Sequence, residues 1–317
     1  MSISVEESLR GSFTVAVTPF RADGSEGIDV DALHKFLDWQ IRSGVPGVIM
    51  LGTTGEFLAV SGQEREVLVS ETVGFVAGRM KVLVGAMNAY TPTAVSHARQ
   101  AEDLGADGLM VLPPYYYTPT DDEIFNYYRS ISTAVQIPIM LYNNPVTSNV
   151  DMTAALVDRL SREFPNVSYI KEASRDVGRV YDISQLSAGF MEVFAGERIV
   201  ESFLLGAVGY VNPYGNYIPR ASSGIWDLLV AGRVAEAQRI QHLIDQMDAI
   251  IAAGHPTYGH QCFSKALAAA AGYPVGDVRD PITTFADLGA EGAERLDRLN
   301  ALRSRIESMD EVRSVRG

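Results

Sequence analysis

The sequence predicts an α/β fold: a (β/α)8 barrel over residues 1–231 with a C-terminal helical extension over 232–317. Three observations carry this. Short apolar, often β-branched runs alternate with longer amphipathic stretches, the order that builds a parallel sheet with crossover helices. Eight such units follow one another, the count of a closed barrel. The 317 residues exceed the roughly 250 that such a barrel takes, and the excess reads as helix without another strand.

Taken in order, the first unit pairs an apolar run at 13–17 with an amphipathic stretch at 29–43, stopped by Gly44. Glycine there suits the left-handed residue that ends a helix. The second joins 47–51 to 62–78. The third joins 82–86 to 91–104, which opens on Thr91-Pro92 and stops at Gly105, a start and stop of the expected chemistry. In the fourth, 108–112 precedes 121–134, where the hydroxyl of Thr120 and the acids Asp121 and Asp122 satisfy and complement the exposed N–H groups of a helix start. Next come 137–142 with 151–163, 167–171 with 176–187, and 192–195 with 198–205, closed by Gly206. The eighth unit joins 209–212 to 219–231. Beyond it, 234–253, 260–271 and 290–306 read as helices expected to pack without taking part in chemistry. The polar stretch 308–317 is expected to be loosely docked.

Hydrophobic residues at 47% and charged residues at 21% supply a large core and argue against disorder. The net charge of −13, from 26 Lys+Arg against 39 Asp+Glu, disfavours nucleic acid and anionic membrane as partners. There is no apolar run of about 18 residues, and residues 1–7 lack the basic and apolar parts of a signal peptide, so the expected location is the cytoplasm. A single cysteine, Cys262, excludes an intrachain disulfide and a cysteine-based zinc site and reads as a packing residue.

Only four lysines occur, Lys35, Lys81, Lys171 and Lys265. Lys171 ends the run Val167-Ser168-Tyr169-Ile170. An ammonium at the mouth of an apolar strand loses hydration, which favours the neutral amine and makes it a nucleophile towards carbonyls. Its other reading is a lysine whose stem packs on the strand while its head stays in water or pairs with Glu172. Lys265 lies in an amphipathic segment and reads as a solvated or barrel-capping helical position. His255 and His260 flank Pro256 and read as loop packing, with no ligand set for a metal.

Reacting groups of a βα barrel collect where strands end. The second strand ends in Gly52-Thr53-Thr54-Gly55-Glu56, whose hydroxyls and N–H groups suit a small carboxylate or simply close a tight turn. The fourth ends in Pro113-Pro114-Tyr115-Tyr116-Tyr117, the fifth in Tyr142-Asn143-Asn144-Pro145, the sixth in Lys171-Glu172-Ala173-Ser174, the seventh in Gly196-Glu197. Val211 and Asn212 end the eighth. Tyr142 can move a proton at a carbinolamine on Lys171 or be a buried, satisfied tyrosine.

With these motifs, from about Gly11 to about Phe285, the chain resembles the dihydrodipicolinate synthase and N-acetylneuraminate lyase family of Schiff-base lyases and aldolases. The resemblance rests on Gly52–Glu56, Pro114-Tyr115-Tyr116, Tyr142-Asn143-x-Pro145, Ile170-Lys171-Glu172 and Gly206–Asn212. It implies a homotetramer, a dimer of dimers, in which Lys171 forms an imine with a 2-oxo acid and no metal or organic cofactor is needed. Tyr142 would be the proton carrier. Thr54 and Tyr116 would extend a hydroxyl relay, Tyr116 being lent across a subunit interface, and Gly52, Thr53 and Thr54 would hold the substrate carboxylate.

Thr147 stands where dihydrodipicolinate synthase proper carries an arginine for the carboxylate of its aldehyde substrate. A threonine offers no bidentate cationic fork. Asn144, Thr147, Ser148, Asn212 and Glu197 better suit the hydroxylated tail of a 2-oxo-3-deoxy sugar acid. The expected activity is therefore an aldolase or dehydratase acting on pyruvate or such a sugar acid. Dihydrodipicolinate synthase is the alternative, and a non-catalytic 2-oxo-acid-binding relative is a third reading.

Overall fold

The computed structural model describes residues 9–22, 27–253 and 260–314. In chain order its elements are β1 (Gly11–Val15), α1 (Val30–Arg42), β2 (Gly47–Met50), α2 (Gly62–Val76), β3 (Lys81–Gly85), α3 (Thr91–Asp103), β4 (Gly108–Val111), α4 (Asp121–Ser132), β5 (Ile139–Asn143), α5 (Pro145–Ser148), α6 (Ala154–Glu163), β6 (Val167–Glu172), α7 (Gly178–Leu186), β7 (Glu192–Ala195), α8 (Ile199–Leu204), β8 (Gly209–Asn212), α9 (Pro219–Val230), α10 (Val234–Ala252), α11 (His260–Ala270), α12 (Gly289–Ser308) and α13 (Asp310–Ser314). The strands follow one another in sequence order round a closed barrel. Each strand bound falls within two residues of its expected place. The hydrophobic pattern gives no sign of α5, a single turn opened by Pro145. Contacts divide the chain into two compact units, residues up to Gly11 with Lys81–Val211, and Ser12–Met80 with Asn212 onward.

In the first unit β3 to β8 form a continuous parallel ladder. Its strands are buried almost throughout, as a sheet covered on both faces requires. Phe194 pairs with Gly209, and a Cβ added at Gly209 would stand 2.1 Å from the Phe194 ring. The ring fills the space that any larger residue at 209 would need. Helix α4 starts on a capping box in which Thr120 and Glu123 satisfy each other's backbone N–H groups. It buries Ile124, Phe125, Tyr127, Tyr128 and Ile131.

The second unit repeats the device: Phe13 pairs with Gly47, where a Cβ would lie 2.1 Å from the Phe13 ring. Helix α1 begins where the Asp29 side chain accepts from the N–H of Ala32 at 2.9 Å, a cap of the usual geometry. Helix α10 buries Ala237, Ile240, Ile244 and Met247, spaced to make one apolar face. Residues 311 and 312 differ from the loose docking expected of 308–317. Val312 is 1% exposed, and Glu311 accepts from Arg239 at 2.9 Å. One apolar anchor and one ion pair fasten this part of a stretch whose composition is polar. Among the described residues no helix is long and apolar enough to cross a membrane.

Candidate active site

Lys171 and Tyr142 are brought together by strand register. Ile139 pairs with Val167 but Met140 pairs with Tyr169, so Ser168 is an extra residue in β6. This bulge shifts the ladder by one and sets Tyr142 beside Lys171 and Asn143 beside Glu172. Without it Tyr142 would face Ile170, and Lys171 would point to the other side of the sheet from Tyr142. The Lys171 ammonium stands 4.3 Å from the centre of the Tyr142 ring, and both residues are buried.

Alternation along a strand sends the next pair, Asn143 and Glu172, to the opposite face. There the Asn143 Nδ2 donates to Glu172 Oε2 at 2.9 Å and to Asp151 Oδ1 at 3.1 Å. Its Oδ1 accepts from the N–H of Met152 at 3.0 Å. Arg179 closes the far side, donating to Asp151 at 3.0 Å and to the Met152 carbonyl at 2.9 Å. Glu172 is 4% exposed. Burial raises its carboxyl above the ordinary range, opposed by hydrogen bonds from Ser174 and Asn143. The alternative pairing of Lys171 with Glu172 does not form, because the two side chains leave the strand on opposite faces.

Around this pair the other expected residues take different positions. Asn144, half-buried, donates from Nδ2 to the Tyr142 hydroxyl oxygen at 2.8 Å. The phenol thereby keeps its own hydrogen for another acceptor. Ser148 is buried and donates to the Asn144 carbonyl at 2.8 Å, while Thr147 is exposed on α5. Glu197 lies 3.8 Å from Arg175. Burial raises its carboxyl, and Arg175 and then Lys171 oppose that shift. Val211 is fully buried. Tyr116 is 92% exposed at φ 87°, a left-handed conformation that a residue with a Cβ takes only when held there.

In the second unit, Gly52, Thr53 and Thr54 form the turn after β2. Leu51 at φ 58° and Glu56 at φ 55° bracket it. The Gly55 N–H donates to the Gly52 carbonyl at 3.0 Å and the Glu56 N–H to the Thr53 carbonyl at 3.1 Å. Thr54 Oγ1 lies 3.3 Å from His260 Nε2, and Gln261 donates to the Thr53 carbonyl at 3.3 Å. Asn212 is fully buried, donating to Ser12 Oγ at 2.9 Å and accepting from Ser222 and from the Tyr214 N–H, both at 2.9 Å. Its amide is engaged within the fold.

Lys265 is not solvated. It is 2% exposed and pairs at 2.8 Å with Glu56, itself without exposed side-chain area, because the face of α11 that carries it is the buried one. Burial lowers its ammonium below the ordinary lysine range, and Glu56 opposes that shift. Cys262 is buried, and desolvation pushes its thiol up to about 11, which suits packing and not nucleophilic attack. His255 lies outside the described residues. Among the described residues no three His, Cys, Asp or Glu side chains are grouped to hold a metal.

The arrangement supplies an amine beside a proton-carrying phenol. A model of the dihydrodipicolinate synthetase family matches residues 8–296. The 4-hydroxy-tetrahydrodipicolinate synthase of Cellvibrio japonicus is 36% identical over 234 residues, 73% of this chain and 80% of that protein. A solved 4-hydroxy-tetrahydrodipicolinate synthase from the thermoacidophilic methanotroph Methylacidiphilum fumariolicum SolV superposes with a TM-score of 0.88 at 27% identity, covering 97% of this chain and 99% of that one. The chloride-inhibited dihydrodipicolinate synthase of Acinetobacter baumannii, solved with pyruvate, matches with a TM-score of 0.85 at 28% identity over 94% of this chain and 99% of its own. A match over nearly the whole barrel, with an amine and a phenol joined by register, makes this chain a member of the dihydrodipicolinate synthetase family.

Proposed function

We propose that the protein is a Schiff-base lyase, an aldolase or dehydratase that acts on pyruvate or a 2-oxo-3-deoxy sugar acid through an imine on Lys171. The observation that carries this is the register pairing of Lys171 with Tyr142. The amine adds to the C2 carbonyl, and the Tyr142 phenol, oriented by Asn144, protonates the carbinolamine hydroxyl so that it leaves as water. The protonated imine is an electron sink. A carbanion at C3 becomes an enamine, which allows C–C cleavage, condensation or loss of a C4 hydroxyl. The Gly52–Thr54 turn would receive the substrate carboxylate, and Thr54 and Tyr116 would extend the proton path. The exposure of Tyr116 supports its being lent to a neighbouring subunit of a homotetramer in the cytoplasm. Thr147, Glu197 and the hydroxyl side of the Asn144 turn favour a hydroxylated tail.

A second reading is 4-hydroxy-tetrahydrodipicolinate synthase, joining pyruvate to aspartate semialdehyde. The name carried by the 36% identical relative favours it, and Thr147 in place of a carboxylate-binding arginine weighs against it. The test is borohydride reduction with pyruvate, followed by peptide mass spectrometry. An adduct on Lys171 that is absent from Lys171→Ala supports the imine. A folded wild-type chain without an adduct overturns both readings. A panel of aspartate semialdehyde and 2-oxo-3-deoxy sugar acids then separates them.

A further inference from the structure

Three side chains of α11 reach the turn after β2. His260 meets the Thr54 hydroxyl at 3.3 Å, Gln261 donates to the Thr53 carbonyl at 3.3 Å, and Lys265 pairs with Glu56 at 2.8 Å. Gln261 and Lys265 stand four residues apart and so share one helical face. The turn needs holding. Leu51 and Glu56, at its two ends, have positive φ, a conformation that residues with a Cβ keep only where the surroundings over-determine it. Glu56 is fixed through both oxygens, by Lys265 and by the Arg279 N–H at 2.9 Å. Lys265 in turn donates to the Asp277 carbonyl at 2.7 Å and lies 4.2 Å from the centre of the Phe20 ring. Gly55 is pinned from the other side: Thr18 donates to its carbonyl at 2.6 Å, and a Cβ there would stand 2.8 Å from the Ala16 carbonyl.

We propose that α11 is the positioning element of the Gly52–Gly55 turn, with His260, Gln261 and Lys265 as positioning residues for the substrate carboxylate. The proposal rests on the reading of that turn given under the proposed function. It assigns a role to a helix of the C-terminal extension, which the hydrophobic pattern marks only as packing. The Lys265–Glu56 pair fixes the exit of the turn. Gln261 fixes the carbonyl of the residue whose hydroxyl and N–H would meet the ligand, and His260 sets the rotamer of Thr54. None of the three need touch substrate.

The test uses Gln261→Met, His260→Ala, His260→Gln and the double variant Glu56→Gln/Lys265→Met, which keeps side-chain volume and leaves no buried unpaired charge. Borohydride trapping on Lys171 is measured against pyruvate concentration. It is repeated with acetone, which has the carbonyl and lacks the carboxylate. Hydrogen exchange is followed at the amides of residues 52–56. The half-saturating pyruvate concentration is expected to rise about 10-fold in Gln261→Met, His260→Ala and the double variant, the loss of one hydrogen bond to or behind a charged group. His260→Gln, whose amide still meets a hydroxyl, should return towards wild type. Trapping at saturating pyruvate and acetone labelling should stay unchanged in Gln261→Met and the double variant, and slow in His260→Ala, where the Thr54 hydroxyl of the proton path loses its partner, while exchange at 52–56 quickens in all three. Half-saturation within about 2-fold of wild type throughout, well inside the effect of one such bond, overturns the proposal. So does acetone labelling that falls in step with pyruvate labelling in Gln261→Met and the double variant, which marks a general loss of structure. If wild type itself leaves Lys171 unlabelled by pyruvate, the Schiff-base reading fails, and the exchange at 52–56 alone decides whether α11 holds the turn.

Discussion

Replacing Asn143 by alanine tests whether the buried network behind the reacting pair sets its geometry. Asn143 has no exposed area and makes three hydrogen bonds, two of them to the carboxylates of Glu172 and Asp151. A bond to a charged group contributes about 1.5–3 kcal/mol and a neutral one about 1 kcal/mol, so the lower ends give a loss near 4 kcal/mol. For a chain of this size about 2 °C accompanies each kcal/mol, and the melting temperature should fall by about 8 °C. Glu172→Gln is the control. It keeps the side-chain length, but its amide can accept from only one of Asn143 and the Ser174 N–H and turns its NH2 towards the other donor, so its loss should be about 1–3 kcal/mol, smaller than that of Asn143→Ala.

The functional arm is the rate of pyruvate trapping on Lys171, measured well below both melting transitions. A misplacement near 1 Å costs up to about 100-fold, and Asn143→Ala should slow trapping by about 10-fold or more. A melting temperature within about 2 °C of wild type would refute the accounting of the bonds. A large fall in melting temperature with an unchanged trapping rate would refute the link from Asn143 and Glu172 to Lys171 and Tyr142.

Other outcomes follow from the same contacts. Tyr142→Phe should leave the imine trappable but form it about 10²–10⁴-fold more slowly, as read by quenched trapping; an unchanged rate removes the phenol from the mechanism. Asn144→Ala removes the bond to the Tyr142 hydroxyl and should lower the trapping rate about 5-fold, the worth of one neutral hydrogen bond. Glu64, held at about 2 chiefly by the hydrogen bond from Arg279, contributes stability that is complete above its unfolded value of about 4.5 and is lost as pH falls from there towards 2. Urea unfolding of wild type should therefore weaken across that window more steeply than that of Glu64→Gln.

Periodicity made the barrel legible because each of its eight strands and most of its helices carry a pattern of their own, the single turn α5 excepted, and Lys171 was marked by an apolar run ending in a charge. What joins these parts depends on two segments at once. The run Val167 to Lys171 reads as a straight strand, and Ser168 becomes an extra residue only against the spacing of Ile139 and Met140. The face that Lys265 shows to Glu56 is set by where a turn some 200 residues earlier in the chain comes to rest, which no helical period records. One signal was available. Each reacting residue is followed on its strand by a polar one, Tyr142 by Asn143 and Lys171 by Glu172, and alternation puts both followers on the covered face of a parallel sheet. A carboxylate there is costly unless hydrogen-bonded, and an amide one strand away is a partner of the required chemistry. Two neighbouring strands ending in Tyr-Asn and Lys-Glu therefore imply that the followers pair, and that pairing requires Tyr142 to stand beside Lys171.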